Sequence, residues 1–258
     1  MDNVYMTPST EVAVMERGKG RRKERCLLLG VAALEGLRMR PFKAILGHEY
    51  GHFSNRDTAG GAFALSVRRS LAATAIGIAE GGAATWYNPA WLFVNAFHRL
   101  FLRISEGASR LQEVLADRWA VFAYGAAAFE EGLRHVVDRG VRFDAHVERT
   151  LNEVVNLQVP LANLYTYTPS KAPEDVTTAI EEALNRKSSA YDSHPAPAER
   201  FALNATLPQN DVETAEDDDA PVSTLFVNLE ALQVRMTAQV RDNVRANTGL
   251  EILAPAAV

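Results

Sequence analysis

His48 and His52 stand four residues apart with Glu49 between them, in the run His48-Glu-Tyr-Gly-His52. On a helix, residues i and i+4 share a face, so the two imidazoles can aim at a single point, and Glu49 lies beside that point. Two neutral imidazoles suit Zn²⁺, and a neighbouring carboxylate can take a proton from a water that such an ion acidifies. The pentapeptide therefore points to a zinc hydrolase, most commonly one that acts on peptide bonds. A catalytic zinc takes three protein ligands and keeps one position open. Glu113 is the best third candidate, in Arg110-Leu-Gln-Glu-Val-Leu-Ala-Asp117-Arg-Trp-Ala. Glu113 and Asp117 are again i and i+4. Two like charges stacked on a mostly apolar helix need a cation or a donor opposite them. A metal facing Glu113 and a ligand imidazole facing Asp117 would answer both, Asp117 then accepting the N–H of that histidine. The plainer alternative is a solvated acidic face paired with Arg110 and Arg118.

These residues need elements to hold them. Arg40-Pro41 marks a helix start, because proline needs no N–H partner in the first turn. Phe42, Ile45, Leu46 and Phe53 give that helix an apolar stripe. Gly47 and Gly51 each cost about 1 kcal/mol against alanine in a helix interior, which suggests close approach of another backbone or of a substrate. Leu111, Val114, Leu115, Ala116, Trp119 and Phe122 make the Glu113 segment a second helix. A third element is Ser193-His194-Pro-Ala-Pro-Ala-Glu199-Arg200-Phe. Hydrolysis develops an oxyanion, and a histidine on a proline-stiffened loop followed by an arginine would meet it.

The order His-Glu-x-x-His, then Glu-x-x-x-Asp, then His-Pro-x-x-x-x-Arg resembles the HtpX and CAAX-prenyl-protease group of membrane-associated zinc metallopeptidases. Val4-Tyr-Met-Thr-Pro8 and Glu11-Val-Ala-Val14 look like the strand pair that precedes the metal helix there, and Leu27-Leu-Leu-Gly-Val31 like the next core segment. The resemblance covers residues 3 to about 205. It implies an α+β, mainly helical, zincin-like domain with a small N-terminal sheet packed on the metal-binding helices. It also implies one Zn²⁺ held by His48, His52 and Glu113, with Glu49 as general base and Asp117 behind a ligand. His194 and Arg200 would then lie near the scissile carbonyl. Membrane-associated processing or quality control of proteins, with the active site on the cytoplasmic side, is the implied setting.

Two features depart from that pattern. Such proteins carry membrane spans before this domain and often between the second histidine and the glutamate. Here the chain begins almost at the strand pair, as a fragment or a shortened relative would. Residues 61–104 stand where the internal spans belong, yet a span needs about 20 largely apolar residues. Leu71 to Ala84 is short and broken by Glu80, and Ala90 to Ile104 carries Asn95, His98, Arg99 and Arg103. Phe93, Phe97, Leu100 and Phe101 fall at helical spacing, so this helix either packs on the domain or lies in a membrane interface with arginines toward head groups.

Composition narrows the class. Hydrophobic residues make up 47 % and charged ones 23 % of 258, ordinary for a soluble globular protein. A net charge of −5 argues against nucleic-acid binding. Cys26 is the single cysteine, which excludes an internal disulfide. It follows Arg21-Arg-Lys-Glu-Arg25, expected as a solvated loop, and no secretory leader is evident. Residues 144–159 read as a helix ended by Pro160, and Ala172 to about Lys187 as another with acids in its first turn. His98, His135 and His146 lack partners at metal spacing and read as surface or packing residues. Three units are expected: the peptidase domain over 1–205, a flexible acidic linker over 206–222 containing Glu216-Asp-Asp-Asp219, and a C-terminal amphipathic helix and tail over 223–258. Leu225, Leu229, Leu232, Met236 and Val240 supply that helix with a face that must dock on the body, on a second copy or on a partner. Protein or peptide is the expected substrate. The rivals are a catalytically silent zinc-binding scaffold of the same fold, a zinc hydrolase of the deformylase kind, and a purely structural helical protein with a chance motif. The intact Glu49 argues against the first, the context of Cys26 against the second, and the three ordered motifs against the third.

Overall fold

The computed structural model describes residues 2–19, 22–54, 58–189, 195–208 and 213–256. Three strands come first: β1 (Asn3–Thr7), β2 (Val12–Lys19) and β3 (Arg22–Gly30). They form one sheet in the order β1-β3-β2, with β3 parallel to β1 and antiparallel to β2. Two expectations change here. The first two strands do not pair with each other, because β3 lies between them. The basic run before Cys26 is the start of β3, with Glu24 opposite Arg17 and Arg25 opposite Glu16, so alternate charges are matched across the ladder. Leu27 and Leu29 supply its buried face, and a 3-10 turn at Val31–Leu34 continues it inward.

Helices follow: α1 (Met39–Ser54), α2 (Thr58–Glu80), α3 (Pro89–Tyr124), α4 (Ala126–Leu157), α5 (Thr177–Asn185), α6 (Pro197–Ala205) and α7 (Leu229–Thr248). The architecture is α+β and mainly helical. Both helical stretches read around Phe97 and Glu113 belong to the single 36-residue α3. Its start is capped by Asn88, which accepts the Ala90 N–H at 3.0 Å, with Pro89 in the first turn. The helix expected from Ala172 starts only at Thr177, so its acids precede it; Asp175 accepts the Thr177 N–H instead.

Three apolar clusters hold the body together. Leu29, Leu34, Leu37, Met39, Phe42 and Val222 join the sheet to α1. Ala44, Ile45, Ala120, Val121 and Phe129 join α1, α3 and α4. Full burial of a ring such as Phe129 contributes about 1.5–3 kcal/mol. Phe143, Val154, Leu161, Leu164 and Ile252 form the third, and Val240 and Val244 of α7 pack against it. Of the three docking partners open to the C-terminal helix, the body receives it: Thr237 accepts the Leu164 N–H at 2.9 Å, and Arg241 donates to the Leu161 carbonyl.

Residues 213–221, in the acidic stretch read as a linker, run along the start of α1. Met39 and Arg40 donate backbone N–H groups to the carbonyls of Ala220 and Asp218. Asp218 also accepts from the Ala215 N–H, the Arg40 guanidinium and Lys43. The Ala215 N–H first, and then these two cations, hold its carboxyl below the usual carboxylate range. Cations in the first turn of a helix oppose its dipole, and the aspartates offset that cost.

Candidate metal centre

α1 crosses α3 at very short range, and two glycines make this sterically feasible. A Cβ on Gly51 would sit 2.7 Å from Ala116 Cα, and one on Gly47 would sit 3.1 Å from the Tyr124 ring. The apolar stripe holds the other side: Phe42 and Ile45 are buried and Leu46 is half-buried, while the side chain of Phe53 lies outside the described set. Close crossing turns His48 and His52 toward Glu113.

The three candidate ligands meet. His48 Nε2 and His52 Nε2 are 3.3 Å apart. Glu113 Oε2 lies 3.5 Å from the first and Oε1 lies 3.4 Å from the second. With one ligand atom taken from each residue, the three lie within 4.8 Å of one another, close enough to share a single ion. The triangle's two nitrogens and one carboxylate are a donor set that zinc accepts. These are the residues that among the described ones can hold a metal ion together.

Behind the triangle the charges are closely matched. His48 Nδ1 is 2.8 Å from Asp117 Oδ1. Donation of Nδ1–H to that oxygen leaves the Nε2 lone pair facing the triangle. Arg200, buried on α6, donates Nε–H to Asp117 Oδ2 at 2.9 Å and Nη2–H to Oδ1. Its guanidinium also lies 5.3 Å from the centre of the Phe129 ring. Burial alone would raise the Asp117 carboxyl, but the hydrogen bonds and charge of Arg200, with those of His48, outweigh it and hold the carboxyl low. Burial likewise disfavours the Arg200 charge, and Asp117 reverses that.

Glu49 stands beside the triangle, with Oε2 accepting the Val14 N–H at 3.2 Å. That bond ties it to β2, an edge strand of the sheet. Burial raises its carboxyl above the usual range, against the pull of His48, His52 and the Val14 N–H. A half-buried carboxyl with a raised proton affinity suits the role of a proton acceptor.

The structure thus gathers His48, His52, Glu49, Glu113 and Asp117 into one site. Arg200 joins them in a different place from the one expected, for its guanidinium forks onto Asp117 behind His48, with Nη1 3.8 Å from Glu113 Oε2. His194 lies outside the described residues. Sequence reading missed Asn204, whose side chain donates to Asp117 Oδ2 at 3.5 Å, and Phe129. Asn204 was within reach of the same argument, being i+4 from Arg200 on α6. His135 and His146 bond to the carbonyls of Ala33 and Leu164, as packing residues do.

A largely buried His-His-Glu cluster with a second glutamate beside it fits the metallopeptidase class. The family follows from comparison: a model of peptidase family M48 matches residues 32–205, about two thirds of the chain. The chain belongs to peptidase family M48, whose members are zinc metallopeptidases. No curated protein and no solved structure matches it significantly.

Proposed function

We propose that this chain is a zinc-dependent endopeptidase that hydrolyses exposed, unstructured protein segments, in processing or quality control at the cytoplasmic face of a membrane. The observation that carries the reading is the convergence of His48, His52 and Glu113, whose ligand atoms lie within 4.8 Å of one another, with Glu49 adjacent. His48, His52 and Glu113 would hold the ion. Zinc bound there would supply Lewis acidity to the attacking water and to the scissile carbonyl.

The chain's own residues do the rest. Asp117 fixes the His48 tautomer and ring orientation. Arg200 and Asn204 keep Asp117 ionised and aimed, so the buried acids do not drift apart or take up protons. Glu49, seated against β2 by Val14, removes a proton from the attacking water and delivers it to the leaving amine. His194 is the candidate donor to the developing oxyanion. Because β2 is an edge strand whose Val14 N–H already reaches the site, an extended substrate backbone can lie along it.

Casein cleavage followed with and without 1,10-phenanthroline tests this. Turnover that chelation abolishes and added zinc restores is expected. Cleavage indifferent to chelation would end the proposal.

A further inference from the structure

The outer part of the α2–α3 hairpin shows no core among its described side chains. Among the described side chains between Ser66 and Gln112, none is buried. Its turn displays Trp86 and Tyr87, 84 % and 68 % exposed, packed edge-on with ring centres 5.7 Å apart. Along α3 the exposed residues Phe93, Phe97, Leu100 and Ile104 fall within about 60° of arc at 100° per residue. Leu111, Leu115 and Phe122 continue the same line onto the body, where Trp119 borders a groove of about 430 Å³ between α1 and α3. The line lies on the side of α3 opposite Glu113 and follows the helix for about 43 Å.

Charge distinguishes this surface further. Residues 58–124 carry six arginines and four acids, a net +2 in a chain of net −5, and two of those acids are the buried Glu113 and Asp117. At the same 100° per residue Arg118 lies at the edge of the apolar line, and Arg103 and Arg99 lie about 60° and 100° beyond that edge on one side. All three are exposed, and none makes an ion pair or hydrogen bond among the described residues. A helix hairpin with no buried side chain among those described draws little stability from its own packing, and an apolar line of this length marks a surface that a partner covers.

We infer that the hairpin lies in the plane of an anionic lipid surface. The apolar line sits at the boundary of head groups and acyl chains, Trp86 and Tyr87 sit at head-group level, and Arg99, Arg103 and Arg118 meet lipid phosphates. No helix among the described residues is long and apolar enough to cross a membrane, which suits contact in the plane. A second copy fits less well: a two-fold contact through this line would bring the same arginines to both rims, with Glu106 the single acid per chain between Pro89 and Gln112. In the lipid-bound pose Glu113 faces away from the bilayer, with α3 between. The proposed peptidase site, on whose reading this last consequence rests, would then serve chain segments standing just clear of the membrane.

Co-sedimentation of the zinc-loaded chain with phosphatidylcholine vesicles, with and without 30 % phosphatidylserine, tests the inference apart from any turnover. Binding to the anionic vesicles is expected, weakened by 0.5 M salt, with a blue shift of tryptophan emission. An arginine near such a surface is worth about fivefold in partitioning, so R99E/R103E should lose at least about tenfold. F93S/F97S should lose binding as well, both variants keeping wild-type circular dichroism and zinc content. Equal binding to neutral and anionic vesicles would overturn the inference. So would absence of binding, and self-association that Phe97→Ser dissolves would then assign the surface to a second copy.

Discussion

The two halves of α3 show what sequence alone can and cannot do for a helix. From Glu113 onward the inward face carries Glu113, Ala116, Asp117, Ala120 and Val121, all buried against α1 and α4. Its charges are answered: Asp117 by His48, Arg200 and Asn204, and Glu113 by Arg200, whose Nη1 lies 3.8 Å from Oε2. From Pro89 to Gln112 the same helix, with the same periodicity, buries nothing and leaves Arg99 and Arg103 unanswered among the described residues. One half is specified by packing and matched charge, so substitutions there should be costly. The other is specified for a surface outside the chain, so substitutions there should hardly touch folding.

Asp117→Ala should separate the halves most sharply. It removes both hydrogen bonds of the buried Arg200 and leaves Glu113, 3.8 Å away, as the remaining anion; breaking such a buried pair typically costs about 3–5 kcal/mol, and the change also frees His48 to rotate. Urea denaturation of apo protein would read the loss, and a change under 1 kcal/mol would mean that the cluster is more solvated than its geometry indicates. Gly51→Ala comes next. Its methyl would meet Ala116 Cα at 2.7 Å, and overpacking of this kind costs about 1–3 kcal/mol. An unchanged melting temperature would show that α1 and α3 can part without penalty.

A smaller effect, and one set by pH, is expected at the strap over α1. The folded-state carboxyl of Asp218 is depressed, so its stabilising contribution is present above the unfolded value of about 3.9 and is lost as pH falls through the folded one. The melting-temperature gap between wild type and Asp218→Asn should therefore be widest near neutral pH and close as pH falls below the ordinary aspartate range. A gap constant with pH would assign the strap's grip to its backbone bonds alone. On the hairpin, Phe97→Ser should shift stability by no more than about 0.5 kcal/mol, as exposed positions do. A loss comparable to that of Gly51→Ala would show that the hairpin has a core after all.

The same contrast governs how far the site was legible in the sequence. His48, His52, Glu113 and Asp117 were legible because helical periodicity writes a shared face into local spacing, and the glycines announced a close crossing for the same reason. What depends on distant partners was not. The placement of β3 between β1 and β2 is a long-range pairing that no single strand encodes. The partners of Asp217 and Asp218 stand more than 170 residues away at Arg40 and Lys43. Arg200 could be read as a donor but not aimed, since its direction is set by how α6 docks against Asp117. The unbroken course of α3 was hidden by composition, because its polar and aromatic first half and its acidic second half look like two helices with different tasks.

The most direct test of the account is Glu49→Gln, an isosteric change that removes the base and leaves His48, His52 and Glu113 in place. Zinc content by mass spectrometry and casein cleavage should be measured on the same preparations. Retained zinc with cleavage reduced at least about 100-fold is the predicted result, the scale expected for loss of a general base. Retained zinc with cleavage within a few-fold of wild type would contradict the role given to Glu49.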